Sequence, residues 1–494
     1  MNTLWRFLPM ILLPAAMVSG CALNSPRPPT DSAAVSCLEA YAALDDAVAE
    51  AGTTPSSPAR IAGFPYLRVD RFLAGYRDQP MNPVVTAAWL TRLNQRDQEA
   101  RQVEWHSLSS PVRAELNRRH APETGLLARL ESCAVTLQAA DRHDPERLAL
   151  IRARARVADE YLTLNQVLGL YPLTLLPVDF GVFRYQEETR ARFAQPLAER
   201  PVQGQLRRYG SPMRSEAVAV AVAVAAQPRD ALGIPEPVPA QLETLFAAHA
   251  PIWEIDDASA ADRPGTPYWR ADGVPTVDPG EPAVYRSVSY ARWRGEPMLQ
   301  LNYLIWFAAR PKTGVFDLLG GAMDGVLWRV TLAPSGRPLL YDSIHPCGCY
   351  HLLFPGPALR LRPETADWAE PPLVPQSAPL AKPGERLILR LASGSHSLQR
   401  VYADQPGAVS PLPGRDYAGL YAVAVESGGR RSLFGPDGLA EGSERAERWL
   451  LWPTGVPSPG AMREQGRHAI AFVGQRHFDD ADLLDRLFAP VEKQ

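Results

Sequence analysis

The sequence carries almost no net charge. Its 51 Lys and Arg side chains are balanced by 54 Asp and Glu side chains, which leaves a formal net charge of -3 at pH 7. Basic residues do not cluster into a stripe, so the chain lacks the long-range field that attracts phosphates. We therefore expect no nucleic acid among the partners of this protein.

Long apolar runs are also missing after the first two dozen residues. A transmembrane helix needs ~20 consecutive apolar residues, whereas the run AVAVAVAVAA from Ala217 to Ala226 has half that length. Its Val residues at every second position predict a buried strand with one face of small side chains. The 46% hydrophobic content and the length of 494 residues are typical of a globular protein with two or three domains.

The first residues form a targeting signal. An apolar stretch from Phe7 to Val18 is too short for a stable spanning helix, and Val18-Ser19-Gly20-Cys21 follows at once. This tetrapeptide resembles the lipobox of bacterial lipoproteins, in which the cysteine becomes the acylated N-terminus after cleavage. The resemblance implies a signal peptide over residues 1–20, an acylated Cys21 and a proline-rich tether over residues 21–32. An ordinary signal peptide with a chance cysteine is the alternative.

The residue after Cys21 bears on the destination. In the lipoprotein family an Asp at this position resembles the signal for retention in the inner membrane, and this chain has Ala22 instead. The resemblance therefore implies a lipid-anchored protein at the outer membrane that faces the periplasm. The membrane, reached through this lipid, and an envelope protein are the expected partners.

Helical periodicity predicts a mainly helical domain over residues 33–227. Apolar residues recur every three or four positions, and Asp144 followed by Pro145 is typical of a helix N-terminus. We place a linker at residues 228–240, where Pro residues are frequent. The apolar stripes are Cys37, Tyr41, Leu44 and Val48; Leu126, Leu130, Cys133 and Leu137; and Leu148, Ile151, Ala155, Ala158 and Leu162.

Two cysteines lie on these helical stripes. Cys37 and Cys133 should both point into the contact between their helices, and an oxidising periplasm favours a disulfide between them. The alternative is a pair of buried free thiols that pack like small hydrophobic side chains.

Strand patterns dominate residues 241–494. Apolar residues alternate with others from Leu299 to Phe307, and Pro334-Ser335-Gly336 predicts the turn of a hairpin. Further strands are predicted in ERLILRLASG and GLYAVAVESGG, and a short amphipathic helix from Phe478 to Phe488. The expected fold class is α+β, with a mainly helical N-terminal domain before a mostly antiparallel, sandwich-like β-rich domain.

The segment HPCGCYH is the main candidate site. It places His345, Cys347, Cys349 and His351 at every second position, and these are ligand types for zinc or copper. Residues two apart on a straight strand are ~6.6 Å apart, so binding one ion requires a bend at Pro346 and Gly348. A distant histidine would complete the ligand set, and the candidates are His249, His468 and His477.

Three other interpretations of HPCGCYH stay open. A disulfide between Cys347 and Cys349 would form a small, strained and easily reduced ring. Flanking histidines could lower a thiol pKa and create a nucleophile, with Asp342 as an orienting carboxylate. The four side chains could also only pack and hydrogen-bond, which is the commoner fate of buried Cys and His.

Other polar residues nearby have weaker claims. Asp317 and Asp324 could form a carboxylate pair, although Asp near Gly is typical of turns. Gln300 and Asn302 share one strand face and could line a polar pocket.

Two functional classes follow from the sequence. The first is a lipid-anchored envelope protein with a binding or assembly role, and the second is an envelope enzyme, either a metal-dependent hydrolase or a thiol oxidoreductase. The block that ends in HPCGCYH resembles that of an uncharacterised bacterial lipoprotein family, which supplies no activity. A concave pocket with convergent polar groups would favour the enzyme.

Overall fold

The computed structural model describes residues 31–211, 229–368 and 370–491. The expected signal peptide, the acylated Cys21 and the strand expected from Ala217 to Ala226 lie outside the described residues. Within them, helices come first and a β-rich region follows, so the α+β class is confirmed.

The N-terminal part is built from helices and one small hairpin. Asp31, Asn82 and Asp144 cap three of the helices, each accepting a hydrogen bond from a backbone N–H of the first turn. The elements are α1 Ser32–Glu50, β1 Ala59–Ile61, β2 Phe64–Val69, α2 Arg71–Ala74, α3 Pro83–Ser107, α4 Ser110–His120, α5 Leu126–Asp141, α6 Pro145–Arg154, α7 Thr163–Leu168 and α8 Tyr171–Ala194.

The helical stripes meet in one core, where α1 packs on α5. Cys37 and Cys133 form a disulfide with a Cα–Cα distance of 5.3 Å, as the two stripes predicted. Helix α6 ends at Arg154, however, so Ala158 and Leu162 do not continue its apolar face.

The β-rich part contains two large sheets and several short strand pairs. Its elements are β3 Gln205–Gly210, α9 Pro239–His249, β4 Ile252–Asp257, β5 Thr266–Trp269, β6 Pro275–Asp278, β7 Val284–Trp293, β8 Glu296–Arg310, β9 Gly321–Leu332, β10 Pro338–Ile344, β11 Leu352–Pro355, β12 Leu359–Leu361, β13 Arg386–Leu391, β14 Leu398–Asp404, β15 Ser410–Pro411, β16 Gly414–Asp416, β17 Val423–Ala424, β18 Arg430–Arg431, α10 Arg448–Leu451, α11 Leu483–Leu487 and β19 Phe488–Pro490.

The two large sheets pack face to face. One has the order β11-β10-β9-β8-β7-β16 and the other β14-β13-β4-β3-β15. Residues of both, such as Trp328 and Trp253, share one hydrophobic core, which is the arrangement of a sandwich. Most pairs are antiparallel; β13–β4, β15–β3 and β16–β7 are parallel.

A second core covers the other face of the six-stranded sheet, and Leu304 and Trp306 lie in it. Strand β8 is therefore buried on both faces over most of its length, which explains why its pattern alternates only weakly between apolar and polar residues.

Two predicted elements differ from the structure. The segment GLYAVAVESGG folds into a 3-10 helix, Tyr417–Ala422, followed by the two-residue strand β17. The C-terminal helix spans only Leu483–Leu487. Both segments lie against a core whose shape, rather than their own periodicity, sets their conformation.

The chain crosses between its two halves more than once. Strand β3 comes before the expected linker, yet it pairs with β4 in the five-stranded sheet. Leu232 and Ile234, inside the expected linker, are buried in the helical core.

Candidate functional site

HPCGCYH forms a tight loop after strand β10. The N–H of His345 donates to the carbonyl of Cys349 at 3.0 Å, and the N–H of Gly348 donates to the carbonyl of His345 at 2.8 Å. Gly348 has a φ of 86°, and a Cβ there would lie 2.2 Å from the carbonyl oxygen of Ala469. Only glycine fits this position, so the expected bend is present.

The bend separates the four side chains of the candidate site. His345 points into a buried polar network, Cys347 lies in the second hydrophobic core, and Cys349 and His351 line a cavity. The structure thus does not bring the four residues to one point.

The buried network links two histidines through one carboxylate. His345 donates from Nδ1 to Asp324 Oδ1 at 3.1 Å, and His396 donates from Nδ1 to Asp324 Oδ2 at 2.8 Å. Asp262 lies 3.6 Å from the other nitrogen of His396. The ring of His396 also stacks on Phe307 at 3.9 Å, so the network is enclosed by strands β8 and β9 and the β13–β14 turn.

The network carries charge in the interior. Burial lowers the pKa of His396, but hydrogen bonds and charges from Asp262 and Asp324 outweigh it and raise that pKa above its ordinary value. Burial would raise the pKa values of Asp324 and Asp262, yet their histidine partners, and for Asp262 backbone N–H groups, hold both pKa values well below the ordinary one. We interpret the network as a buried Asp–His–Asp ion triad, extended by His345.

The two loop cysteines are free thiols. The N–H of Cys349 donates to Cys347 Sγ at 3.3 Å, and no disulfide joins them. A hydrogen bond with Cys347, together with burial, raises the pKa of Cys349 well above its ordinary value. A thiol in this environment is not activated as a nucleophile, because the thiolate is the reactive form.

His351 has a carboxylate partner. Its Nε2 lies 3.3 Å from Asp342 Oδ2, and Arg329 Nε donates to Asp342 Oδ1 at 2.9 Å. Burial lowers the pKa of His351 despite the opposing effect of Asp342. Asp342 therefore orients a histidine, as the sequence suggested, but that histidine is held neutral beside a protonated thiol.

The three distant histidines do not complete a metal site. His249 is half-buried near Arg386, and desolvation and that charge lower its pKa to about 4. His468 packs edge-on against Phe478, and its burial lowers its pKa to about 3. His477 lies between the carboxylates of Asp159 and Asp480. Across residues 31–211, 229–368 and 370–491, no three His, Cys, Asp or Glu side chains converge as metal ligands would.

The other polar candidates have local roles. Asp317 accepts hydrogen bonds from backbone N–H groups of its own turn, which lower its pKa to about 2. It does not pair with Asp324, so turn chemistry explains it. Gln300 and Asn302 are buried and bond to side chains of neighbouring strands, including Ser289, and they do not line the cavity beside Cys349.

The cavity next to the loop has a volume of about 610 Å³. One wall is helix α8, and the facing wall includes the loop and the residues that follow His468. We call it the α8 cavity, and its lining includes Val178, Val182, Tyr185, Cys349, Tyr350, His351, Leu450, Phe472, Leu483 and Leu487. Apolar side chains predominate, as in sites for apolar ligands.

Helix α8 bridges this cavity and is held by contacts near its start and at Tyr185 and Gln186. Near its start, the hydroxyl of Tyr171 donates to the carbonyl of Phe472 at 3.3 Å. Further along, Gln186 donates to the carbonyl of Pro371 at 2.8 Å, and the ring of Tyr185 packs on Tyr350 at 5.1 Å. The helix between these contacts leaves room beneath it.

Charged groups in the α8 cavity are few. Glu370 accepts hydrogen bonds from the backbone N–H groups of Phe472 and Val473 and lies 3.6 Å from Arg476. Glu447 forms no ion pair within the described part of the chain, and burial raises its pKa to about 7 although Arg310 and Arg445 oppose this. The Glu447 carboxyl therefore titrates near neutral pH.

Sequence reasoning missed most of this cavity. Glu447 stands almost a hundred positions after HPCGCYH, and no local spacing links it to the loop. The same holds for His396 of the buried network, which does not line the cavity. A signal for α8 was present, because Asp179 is the one charged residue from 161 to 183.

Comparisons with protein-family models, with curated proteins and with solved structures find no match to this chain. Its candidate function therefore depends on the geometry of its own residues.

Proposed function

We propose that this protein is a lipid-anchored envelope protein, facing the periplasm at the outer membrane, that binds an apolar ligand in the α8 cavity. The observation that carries the proposal is the cavity itself. Its volume of about 610 Å³ lies within the range of about 300 to 1,000 Å³ that small-molecule sites occupy. Its walls are mostly aliphatic and aromatic.

The chemistry of the loop favours binding over catalysis. The pKa of Cys349 is raised and that of His351 is lowered, so neither a thiolate nor an imidazolium is supplied near neutral pH. Both side chains then act as weakly polar walls. The thiol oxidoreductase alternative gains no support from this arrangement.

The few polar groups suit a ligand with one polar end. Glu447 changes charge near pH 7, and His351 presents a neutral ring. An apolar chain would displace poorly bound water from the walls, while a carboxyl or hydroxyl group at its end could bond to these side chains. Fatty acids are therefore suitable probes.

Replacing Gly181 with Leu should block the cavity. Gly181 lines it, and a Cβ at this position meets no atom within 4 Å, so a larger side chain can enter the empty space without a clash. We expect the affinity for a fluorescent fatty acid to fall at least tenfold, because an aliphatic side chain in the cavity occupies the ligand's place. Fluorescence titration measures this.

Gly181→Ala is the matched control. It should keep the fatty acid affinity and stabilise α8 by about 0.5–1 kcal/mol, because glycine inside a helix is unfavourable. Equal binding by wild type and the Leu variant, both folded by circular dichroism, would contradict the proposed site.

The anchor has its own test. Replacing Cys21 with Ser should abolish incorporation of labelled palmitate, since the lipobox cysteine supplies the acylated sulfur and amine. Undiminished labelling of the Cys21→Ser protein would remove the lipoprotein assignment while leaving the cavity proposal intact.

A further inference from the structure

The strongest remaining feature is an apolar surface on the outer side of α7 and α8. Ten large apolar side chains, at residues 164–183 and at Trp449 and Leu450, are each more than 60% exposed, against five in the rest of the described chain. We call these ten the α7–α8 surface. Clusters of this kind on a soluble domain mark interaction sites, whereas single exposed apolar residues do not.

The surface is a property of one helix face. Leu173, Leu176, Phe180 and Phe183 are spaced by three or four residues, and all four are exposed. Val178 and Val182, on the other side of the same helix, line the α8 cavity. Helix α8 is therefore apolar both toward the cavity and toward the outside.

Neighbouring elements extend the same surface. Helix α7 packs on the 3-10 helix Trp452–Thr454, where Gln166 donates to the carbonyl of Thr454 at 2.9 Å. This places α7 beside Trp449 and Leu450. Arg448 stacks on Trp449 at 4.8 Å, and Arg184 follows Phe183 at the edge.

We propose that the α7–α8 surface docks on a phospholipid bilayer. Leu, Phe and Trp around an almost uncharged centre, with Arg at the edge, form the composition of helices that lie in a membrane interface. Protein–protein interfaces have a polar rim and about one hydrogen bond per 100–200 Å², whereas the ten side chains of the α7–α8 surface are almost all without hydrogen-bonding groups. A bilayer accepts apolar side chains without such partners.

The chain outside the structure makes the bilayer available. Nine residues, 22–30, separate the expected acylated Cys21 from Asp31, and this stretch reaches at most ~36 Å from Cys21 to Asp31 when fully extended. The lipid anchor would keep the folded part of the chain within that distance of the bilayer. The high effective concentration of lipid would then populate the docked state even if the α7–α8 surface binds weakly. This step rests on the lipid anchor of the proposed function, whereas the α7–α8 surface itself does not depend on the anchor.

Vesicle flotation tests the surface directly. The probe is the unlipidated mature chain from residue 21 with Cys21→Ser, mixed with phosphatidylethanolamine and phosphatidylglycerol vesicles. We expect it to float with the vesicles, and Leu176→Gln/Phe180→Gln to weaken this binding at least tenfold, because two apolar side chains no longer enter the interface. Gln leaves the net charge unchanged.

Val84→Gln/Val135→Gln is the matched control, since these residues are 67% and 69% exposed on α3 and α5, and it should float as the parent does. Gly181→Leu should also float while losing fatty acid binding, which separates this inference from the cavity proposal. Three outcomes would overturn the inference. The parent could fail to float, or the two Gln double variants could float equally well. The parent could also form concentration-dependent dimers that Leu176→Gln/Phe180→Gln breaks, without binding vesicles.

Discussion

Replacing Asp324 with Asn should lower the free energy of unfolding by about 3–5 kcal/mol, the usual cost of leaving a buried charge without its partner. Asp324 bonds to both His345 and His396, and its side chain is 3% exposed. Asn keeps the shape but loses the charge, so His396 would retain Asp262 as its charged neighbour and the carbonyl of Ala261 as a hydrogen-bond acceptor. Urea unfolding followed by circular dichroism gives the difference.

Asp317→Asn is the natural control for that substitution. Asp317 belongs to the same stretch of sequence but caps an open turn, where Asn also accepts backbone hydrogen bonds, so we expect a change below about 1 kcal/mol. Similar losses of unfolding free energy in both variants would show that the buried triad stabilises the fold no more than a turn hydrogen bond does.

The loss at Asp324 should depend on pH. The pKa values of Asp324 and Asp262 are depressed, so their contribution is present above the unfolded value of about 3.8 and is lost as the pH falls through the folded values. The pKa of His396 is raised, so its contribution is full below about pH 6.5 and is lost as the pH rises through its folded value. The difference between wild type and Asp324→Asn should therefore be largest between about pH 4 and 6.5, and a flat profile would argue against a charged His396.

Removing the disulfide between Cys37 and Cys133 should cost up to about 4–5 kcal/mol. The bond joins α1 to α5 across a separation of 96 residues, and the chain-entropy model assigns about 4.7 kcal/mol to a loop of 100 residues. Cys37→Ala/Cys133→Ala should shift the urea midpoint downward by a corresponding amount.

A thiol count supplies the check. The unlipidated mature chain with Cys21→Ser should expose two thiols when unfolded without reductant, from Cys347 and Cys349, and four after reduction. Four thiols without reductant would remove the disulfide. Cys347→Ser/Cys349→Ser, as a control, should leave the effect of the reductant on stability unchanged.

Local features of the sequence were sufficient for the helices and the disulfide. The N-cap at Asp144 with Pro145, and the stripes that carry Cys37 and Cys133, depend on spacings within one or two turns. The fold class followed from the same kind of pattern. The lipobox remains a prediction, since Cys21 lies outside the described residues.

The division of HPCGCYH between two places was not predictable. The regular spacing of the Cys and His residues gives no means of telling their environments apart. The bend at Gly348, which packs against Ala469, decides which side chain turns inward. That contact joins residues more than a hundred positions apart, and sheet register and packing set it.

By itself, the sequence determined the α+β class, the capped helices and the position of the HPCGCYH loop, and it favoured the pairing of Cys37 with Cys133, because neighbouring side chains carry that information. Only the tertiary structure brought His396 to Asp324, 72 residues earlier, and placed α8 over a cavity lined by Cys349 and His351. These arrangements depend on how sheets and helices pack across the whole chain. A buried charge is stable only where its partner arrives, and a cavity exists only where surrounding elements leave space, so neither is encoded in a local pattern.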